Sequence, residues 1–332
     1  MGTVETVRGP VAPADLGCVL SHEHVVNVTD WVQRDFPHLS WGGDRQDVIE
    51  RIGARLRKIK ASGVDTIIDV SVMGHSRDLP SVVEANALAD IHIVAATGLY
   101  TYDALPFFFQ RRPPVVAADG KIEDIITDMC LSDIRVGIQG TGVKAGVIKC
   151  ATDKEGLTPN IERILRACAR AHRETGVPIT THSDAATRNG LVQQRTFREE
   201  GVDLNRVVIG HAGDSRDVEY LSQLMEAGSY IGSDRFGLYN DGRPDMETRI
   251  AVIKALVERG FGSRILLSHD HSVFTDWSPD TGKTRPGLPL WRHDHITTEV
   301  LPAMRQAGIS EEAIQLMMRE NPRRLLDHSG PY

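Results

Sequence analysis

Histidines stand close together near the start of the chain, in the run His22-Glu23-His24. If this run ends a β-strand, the two-residue period places both imidazoles on one face and Glu23 on the other. Two neighbouring imidazoles can chelate one divalent cation. A chain with 13 histidines also produces close pairs by chance, so a polar strand end is the alternative. The position of the pair at the carboxyl end of a predicted strand favours metal binding.

Three more candidate ligands, His182, His211 and Asp270, stand at the carboxyl ends of later predicted strands. Any one of them alone could be a solvated strand end. Because these ends share one edge of a parallel sheet, the three side chains together predict a metal site. Imidazole and carboxylate ligands suit zinc, cobalt, iron or manganese. The two-residue period turns His269 and His271 to the opposite side, so Asp270 is the predicted ligand.

A lysine, Lys149, ends the apolar run Gly146-Val147-Ile148 and is expected to point its amine toward the same edge. Desolvation and nearby positive charge lower the pKa of a lysine, so the neutral amine becomes available to take up carbon dioxide. The resulting carbamate is an anion that can bridge two metals. A structural lysine that extends its ammonium to water is the alternative interpretation.

The elements that must position these side chains alternate along the chain in the manner of a parallel α/β fold. Eight runs have the apolar character of buried parallel strands: 18–22, 64–70, 91–97, 146–150, 177–182, 206–211, 229–233 and 264–270. Helical spacing between them is clearest at 44–60 and 159–174, where Thr158 is placed to cap the second helix. Eight strands with intervening helices predict a closed (β/α)₈ TIM barrel, and no linker divides residues 1–332, so one domain is expected.

Two segments depart from this alternation. Residues 3–15 have the apolar spacing and Gly-Pro turn of a short hairpin that could cap the lower end of the barrel. Residues 272–291 follow the last predicted strand and contain several prolines and glycines together with Phe274, Trp277 and Trp291. Because loops of this length usually bind ligands, we expect this one to flank the site. Its aromatic residues could equally be packing anchors.

Composition limits the possible partners. The chain has 332 residues, is 41% hydrophobic and carries a net charge of −7, which gives no basic surface for nucleic acid. It shows neither a secretory signal nor an apolar run of membrane-spanning length, so a cytoplasmic protein without membrane contact is expected. The four cysteines are far apart and are predicted to be reduced.

The combined pattern resembles the phosphotriesterase family of the amidohydrolase superfamily along essentially the full chain. The matching segments are Leu20-Ser-His-Glu-His24, Gly146-Val-Ile-Lys149, Thr181-His182-Ser183, Ile209-Gly-His211 and Leu267-Ser-His-Asp270. The resemblance implies two divalent metal ions, with zinc preferred. It implies that one metal is held by His22, His24 and Asp270, that the other is held by His182 and His211, and that carbamylated Lys149 bridges them.

Within this family the chain is more similar to the phosphotriesterase-like lactonases. Three segments carry that similarity: Gly98-Leu-Tyr100-Thr-Tyr102, Ser233-Asp-Arg235-Phe-Gly237 and Thr275-Asp-Trp277. It implies that Tyr100, Tyr102 and Arg235 lie beside a bound lactone, and that Phe274 and Trp277 line an apolar channel for its acyl chain. A structural ion pair with a local acid such as Asp234 is the alternative for Arg235, and His271 departs from relatives that carry an aromatic residue there.

The implied activity is hydrolysis of N-acyl-homoserine lactones, that is, quorum quenching, with slower cleavage of organophosphate triesters. A hydroxide shared by the metals would attack the ring carbonyl, Asp270 would pass its proton to the leaving alkoxide, and Tyr100 and Arg235 would orient the ring. Two alternatives stay open: a phosphotriesterase as the main activity, and a non-catalytic metal-binding protein. By analogy with related lactonases, a homodimer that acts on a small-molecule substrate is expected.

Overall fold

The computed structural model describes residues 2–278, 287–327 and 330–332. Within this part of the chain, parallel strands form one curled sheet in the order β10-β9-β8-β7-β6-β3-β2-β1-β11, and β4 and β5 form a separate antiparallel pair. The strands are β1 Val19–Asn27, β2 Thr66–Asp69, β3 His92–Gly98, β4 Val115–Val116, β5 Ile122–Glu123, β6 Val147–Ala151, β7 Ile179–His182, β8 Val207–Ile209, β9 Tyr230–Ser233, β10 Ile265–Leu267 and β11 Ser272–Thr275.

Helices follow most strands and cover the outside of the sheet. They are α1 Asp30–Asp35, α2 Pro37–Ser40, α3 Arg45–Ala61, α4 Leu79–Asn86, α5 Phe107–Gln110, α6 Ile125–Arg135, α7 Pro159–Thr175, α8 Asn189–Glu199, α9 Val218–Glu226, α10 Met246–Glu258, α11 Leu301–Gln306, α12 Glu311–Gln315 and α13 Asn321–Leu326. None of the described helices is long and apolar enough to cross a bilayer.

Hydrogen bonds that β1 makes with the end of β10 and with the segment after it close the sheet into a barrel. The amide of Asp270 donates to the carbonyl of His22 at 3.1 Å, and the hydroxyl of Ser21 donates to the carbonyl of Leu267 at 3.1 Å. The predicted α/β TIM barrel is therefore confirmed. Its interior is filled by small branched side chains such as Val19, Ile68 and Val94, all buried.

The two helices predicted most clearly are confirmed with their caps. Helix α3 begins after Asp44, whose carboxylate accepts from the amides of Gln46 and Asp47. Helix α7 begins after Thr158, whose hydroxyl accepts from an amide of the first turn, and it ends at Gly176 in the left-handed conformation. Both helices direct their apolar stripes inward against the strands.

The N-terminal hairpin is also observed, with mutual backbone hydrogen bonds of 2.9 Å between Val4 and Val11. The amide of Val7 donates to the carbonyl of Ile93 near the amino end of β3, so the hairpin lies at the lower end of the barrel. The segment after the last barrel strand differs from the prediction of an irregular loop. Its first residues form β11, which adds to the upper part of β1 with His24 paired to Ser272; residues 279–286 lie outside the described part of the chain.

Candidate metal centre at the mouth of the barrel

Four of the six predicted ligands lie on strands. His22 and His24 belong to β1, Lys149 to β6, and His182 is the last residue of β7. All four are buried, with at most 7% of each residue exposed. Their strands are parallel, so the side chains meet at one rim of the barrel.

The other two predicted ligands, His211 and Asp270, follow their strands instead of ending them. Strand β8 stops at Ile209 and β10 at Leu267. Both residues adopt left-handed backbone angles, with φ of 61° at His211 and 56° at Asp270, a conformation that costs free energy in residues other than glycine. The turn after each strand directs the side chain over the mouth of the barrel.

The six side chains form one cluster. The Nε2 atom of His24 lies 3.3 Å from Oδ1 of Asp270, and Nε2 of His211 lies 3.8 Å from Oδ2 of the same carboxylate. The amine of Lys149 is 2.9 Å from Nε2 of His22. The ring of His211 lies 4.6 Å, between centroids, from the rings of both His22 and His182.

Burial sets the protonation states that metal binding requires. Desolvation lowers the pKa of His182 to about 4 and also lowers the pKa values of His22 and His211, so these imidazoles are neutral at pH 7, the state that metal coordination needs. Desolvation lowers the pKa of Lys149 to about 8. Desolvation alone would raise the pKa of Asp270, but nearby positive charge, including the Arg235 guanidinium, and a hydrogen bond from His24 hold it well below its ordinary value.

The residues present fit divalent cations. Ligand atoms of His22, His24 and Asp270 all lie within 4.8 Å of one another, as do those of His22, His211 and Asp234. The second group is better explained as support, because Asp234 accepts hydrogen bonds from the amide and Nδ1 of His211 at 3.1 and 2.9 Å. This contact directs Nε2 of His211 toward the mouth, and Ser71 Oγ, 2.9 Å from Nδ1 of His24, does the same for that ring.

Glu23, between the two histidines of β1, is fully buried and holds the backbone on both sides of Asp270. Its carboxylate accepts from the amides of His269 and His271, each at 2.9 Å. It also accepts from Nδ1 of His269 at 2.8 Å and from the hydroxyl of Ser268 at 2.7 Å. Glu23 and His269 thus face away from the cluster, as the two-residue period predicts, while Asp270 faces into it.

Comparison with known proteins now identifies the family, because the profile of the phosphotriesterase family matches residues 2–326. The chain belongs to the phosphotriesterase family. It is similar to a phosphotriesterase homology protein of Mycobacterium tuberculosis, at 46% identity over the whole of both chains. It is also similar to an aryldialkylphosphatase of Saccharolobus solfataricus, at 36% identity over 96% of this chain and 97% of that one.

A solved structure supports the same family assignment. The phosphotriesterase from M. tuberculosis superimposes with a TM-score of 0.92 at 45% sequence identity, covering 100% of each chain. A metal-dependent hydrolase is the activity that these relationships support.

Two residues that the family resemblance places beside the substrate, Tyr100 and Arg235, lie against the ligand cluster. The phenol of Tyr100 is 3.3 Å from Nδ1 of His182, and burial raises the pKa of that phenol, so it stays protonated. The guanidinium of Arg235 donates to Asp270 at 2.9 Å and to Asp214 at 3.1 Å. Arg235 thus forms the kind of ion pair that the alternative interpretation expects, with Asp214 and Asp270 as its partners.

The aromatic residues that were expected beside the substrate differ in their burial. Trp277 is 56% exposed, with its ring 5.0 Å from that of His75, so it lies at the rim. Tyr102 is half-buried and packs over Gly74. Phe274 was expected to line the substrate channel, but it is buried and stacks on Trp41 at 5.3 Å. The reason is β11: its pairing with β1 turns Phe274 into the core.

Sequence reasoning missed three residues of this site. Asp234 supports His211, and His75 stacks on His24 at 4.2 Å between ring centroids. Asp153 lies 3.7 Å from Nε2 of His182. Asp234 directly follows strand β9, and Asp153 is the second residue after β6, so the strand-end position that marked the candidate ligands could have found them. His75 lies in a loop and carries no such signal.

Proposed function

We propose that the protein is a binuclear metal-dependent lactonase that hydrolyses N-acyl-homoserine lactones, with slower hydrolysis of organophosphate triesters. The arrangement of Tyr100 and Arg235 carries this proposal. Both side chains are polar and lie within hydrogen-bond distance of different candidate ligands, His182 and Asp270, so each would contact a small ring ester held over the cluster.

Six side chains would hold the metal pair: His22, His24, carbamylated Lys149, His182, His211 and Asp270. Zinc is the metal we propose, with cobalt, iron or manganese as functional substitutes, because the donor set combines imidazoles with carboxylate-type oxygens. When bound, the cations would supply a nucleophilic water at neutral pH and polarise the ring carbonyl. The buried amine of Lys149 gives the carbamate a site from which bulk water is excluded.

The protein side chains would then handle the substrate and the proton. The carboxylate of Asp270, kept ionised, would accept the proton of the attacking water and deliver it to the alkoxide released by ring opening. Its hydrogen bond with Arg235 would keep the carboxylate oriented. The protonated phenol of Tyr100 would donate to the lactone, and Arg235 would stabilise negative charge that develops at the ring oxygen.

A phosphotriesterase as the main activity is the second candidate, and the similarity to the aryldialkylphosphatase of S. solfataricus favours it. The two proposals are separated by measuring kcat/KM for a long-chain N-acyl-homoserine lactone and for an aryl dialkyl phosphate with one metal-loaded preparation. The lactonase proposal expects the lactone to be the better substrate. If the triester is turned over far more efficiently than the lactone, the lactonase proposal is rejected in favour of the second candidate.

A non-catalytic metal-binding protein predicts that neither substrate reacts after zinc is restored. In that case the metals would also be coordinatively closed to added ligands. Binding of a small competing anion, followed in the visible spectrum of a cobalt-loaded sample, distinguishes an open site from a closed one.

A further inference from the structure

A cavity of about 820 Å³ opens beside the ligand cluster. It begins at His182 and Arg235 and extends across the loops that follow β6, β7, β8 and β9. Five basic and five acidic side chains line it, and among the described lining residues no apolar side chain is larger than alanine. An alkyl chain placed here would find no apolar surface and would desolvate charged groups without replacing their hydrogen bonds.

Most carboxylates of this cavity already have donors. Asp214 accepts from Arg235 and Arg249 at 3.1 and 2.6 Å, and Asp217 pairs with Arg188. Asp241 pairs with Arg243 at 3.4 Å. Asp184 accepts from two backbone amides of its own turn, at 2.8 and 3.2 Å. Asp153 faces His182 at the inner end of the cavity.

Two cations of the lining form no ion pair with a carboxylate in the described part of the chain. Among the described residues, the guanidinium of Arg216 donates to the carbonyl of Gly242 alone, at 3.3 and 3.4 Å, although its charge also acts on the carboxylate of Asp245. The ammonium of Lys154 forms neither a hydrogen bond nor an ion pair with any described residue. Both side chains are exposed to the solvent that fills the cavity. Lys154 and Arg216 are therefore the charged groups of this lining that can donate to a bound anion.

We propose that this cavity binds the anionic end of a substrate whose ester bond lies at the ligand cluster. The chemical class is a lactone whose acyl arm ends in a carboxylate or a comparable anion, met by Arg216 and Lys154. Guanidinium and ammonium groups form charge-assisted hydrogen bonds with such anions. The inference rests on the proposed function, because Tyr100 and Arg235 define where the ring lies and hence which part of the substrate reaches the cavity.

The test compares two N-acyl-homoserine lactones of equal chain length, one ending in a methyl group and one in a carboxylate. At low ionic strength the wild-type protein should favour the carboxylate-ended lactone in kcat/KM by about tenfold, as expected for charge-assisted hydrogen bonds that are partly screened by water. In the double variant Lys154→Gln/Arg216→Gln this ratio should fall to about twofold or less, and 0.5 M salt should reduce it in the wild type.

A matched control removes one lysine and one arginine elsewhere. Lys58→Gln/Arg51→Gln changes two exposed residues of α3 and should keep the wild-type ratio. Equal use of both lactones by the wild type, preference for the methyl-ended one, or a carboxylate preference that survives the Lys154 and Arg216 substitutions would overturn the proposal.

A second pair of substrates consists of aryl phosphotriesters that carry the same methyl-ended or carboxylate-ended chain. This pair separates failure of the lactonase proposal from failure of the cavity proposal. If neither lactone is hydrolysed, the proposed function fails, and the triester pair still reports on the cavity. A carboxylate preference among the triesters that is lost in the double variant supports the cavity assignment, and its absence rejects it.

Discussion

At the scale of single residues, Lys149 shows how burial creates a reactive group. Its amine is enclosed by the barrel, touches His22 and the carbonyl of Thr181, and has a pKa lowered to about 8 by desolvation. A neutral amine can add to carbon dioxide and release one proton to give a carbamate. The same lysine on the protein surface, with an ordinary pKa of about 10.4, would offer a neutral fraction roughly two orders of magnitude smaller at neutral pH.

Substitution Lys149→Ala tests the carbamate. Loss of a bridging ligand should lower lactone turnover by ~100-fold or more, and added propionate should restore part of it by supplying a carboxylate in the vacated space. Lys144→Ala is the matched control, since Lys144 lies at the opposite end of the same barrel strand, in the segment that enters β6. Unchanged turnover in Lys149→Ala would remove the carbamate from the account.

Glu23 is a positioning residue whose effect is transmitted through the backbone beside Asp270. Glu23→Gln keeps the shape of the side chain but replaces one acceptor oxygen by a donor that faces an amide hydrogen. We expect the free energy of unfolding to fall by ~1–3 kcal/mol and metal affinity to weaken by ~10-fold. Calorimetry and metal content after dialysis measure both effects.

Glu50→Gln makes the same substitution at an exposed position of α3 and should change neither quantity. If Glu23→Gln lowered stability but retained metal as well as the wild type does, the carboxylate would be a structural residue only. That result would separate its backbone contacts from the positioning of Asp270.

At the scale of elements, the close approach of β3 and β6 places Lys149. Gly98 pairs with Lys149 in the parallel ladder and has φ of 125°, and a Cβ atom added at Gly98 would overlap the carbonyl oxygen of Lys149. Gly98→Ala should therefore cost ~2 kcal/mol or more of unfolding free energy and should reduce metal binding. Denaturant unfolding measures the first effect, and metal content measures the second.

Gly43→Ala is the control for this substitution, because a Cβ atom at Gly43 would meet nothing within 4 Å. It should leave both unfolding and metal content at wild-type values. If Gly98→Ala behaved like Gly43→Ala, the close contact between the two strands would not control the position of the lysine.

The strands also show how much of the fold could be predicted from the sequence alone. Apolar runs separated by helical spacing predict the barrel because buried parallel strands are apolar on both faces. The predicted strands that end at His211 and Asp270 are longer than the observed strands β8 and β10. The reason is that residue type does not distinguish a residue in a left-handed turn from the last residue of a strand. Strand β11 was missed because it lies at the start of a segment rich in proline and glycine.

Among the site residues, those with an unusual chemical type at a strand end were predictable, and the six candidate ligands are of this kind. Phe274 was misplaced because its side-chain direction depends on whether β11 pairs with β1, a long-range contact that local pattern does not contain. Asp234 was considered only as a partner for Arg235. Its contact with His211 depends on the turn after β8, which local pattern does not reveal.

At the scale of the whole molecule, the predicted ligands come from five of the barrel strands or the turns directly after them. A metal pair bound there would tie these strands together at one end of the barrel and would bind only the folded state. Such binding at ~100 times the dissociation constant stabilises a protein by ~2.7 kcal/mol. Removal of the metals should therefore lower Tm by ~4 °C.

Scanning calorimetry of metal-loaded and chelated samples measures this change in Tm. His182→Ala should reduce the change, while His38→Ala, which removes an exposed histidine outside the cluster, should retain it. Equal Tm values with and without metal in the wild type would show that metal binding does not contribute to the stability of the barrel.

The most direct test of the central claim is a titration of lactonase activity with zinc. Metal is first removed by chelation, and acid release from a long-chain N-acyl-homoserine lactone is then followed as zinc is returned. We predict no turnover in the metal-free protein and full recovery at two zinc ions per chain. Turnover that persists without metal, or that is complete at one zinc ion per chain, would contradict a binuclear lactonase site.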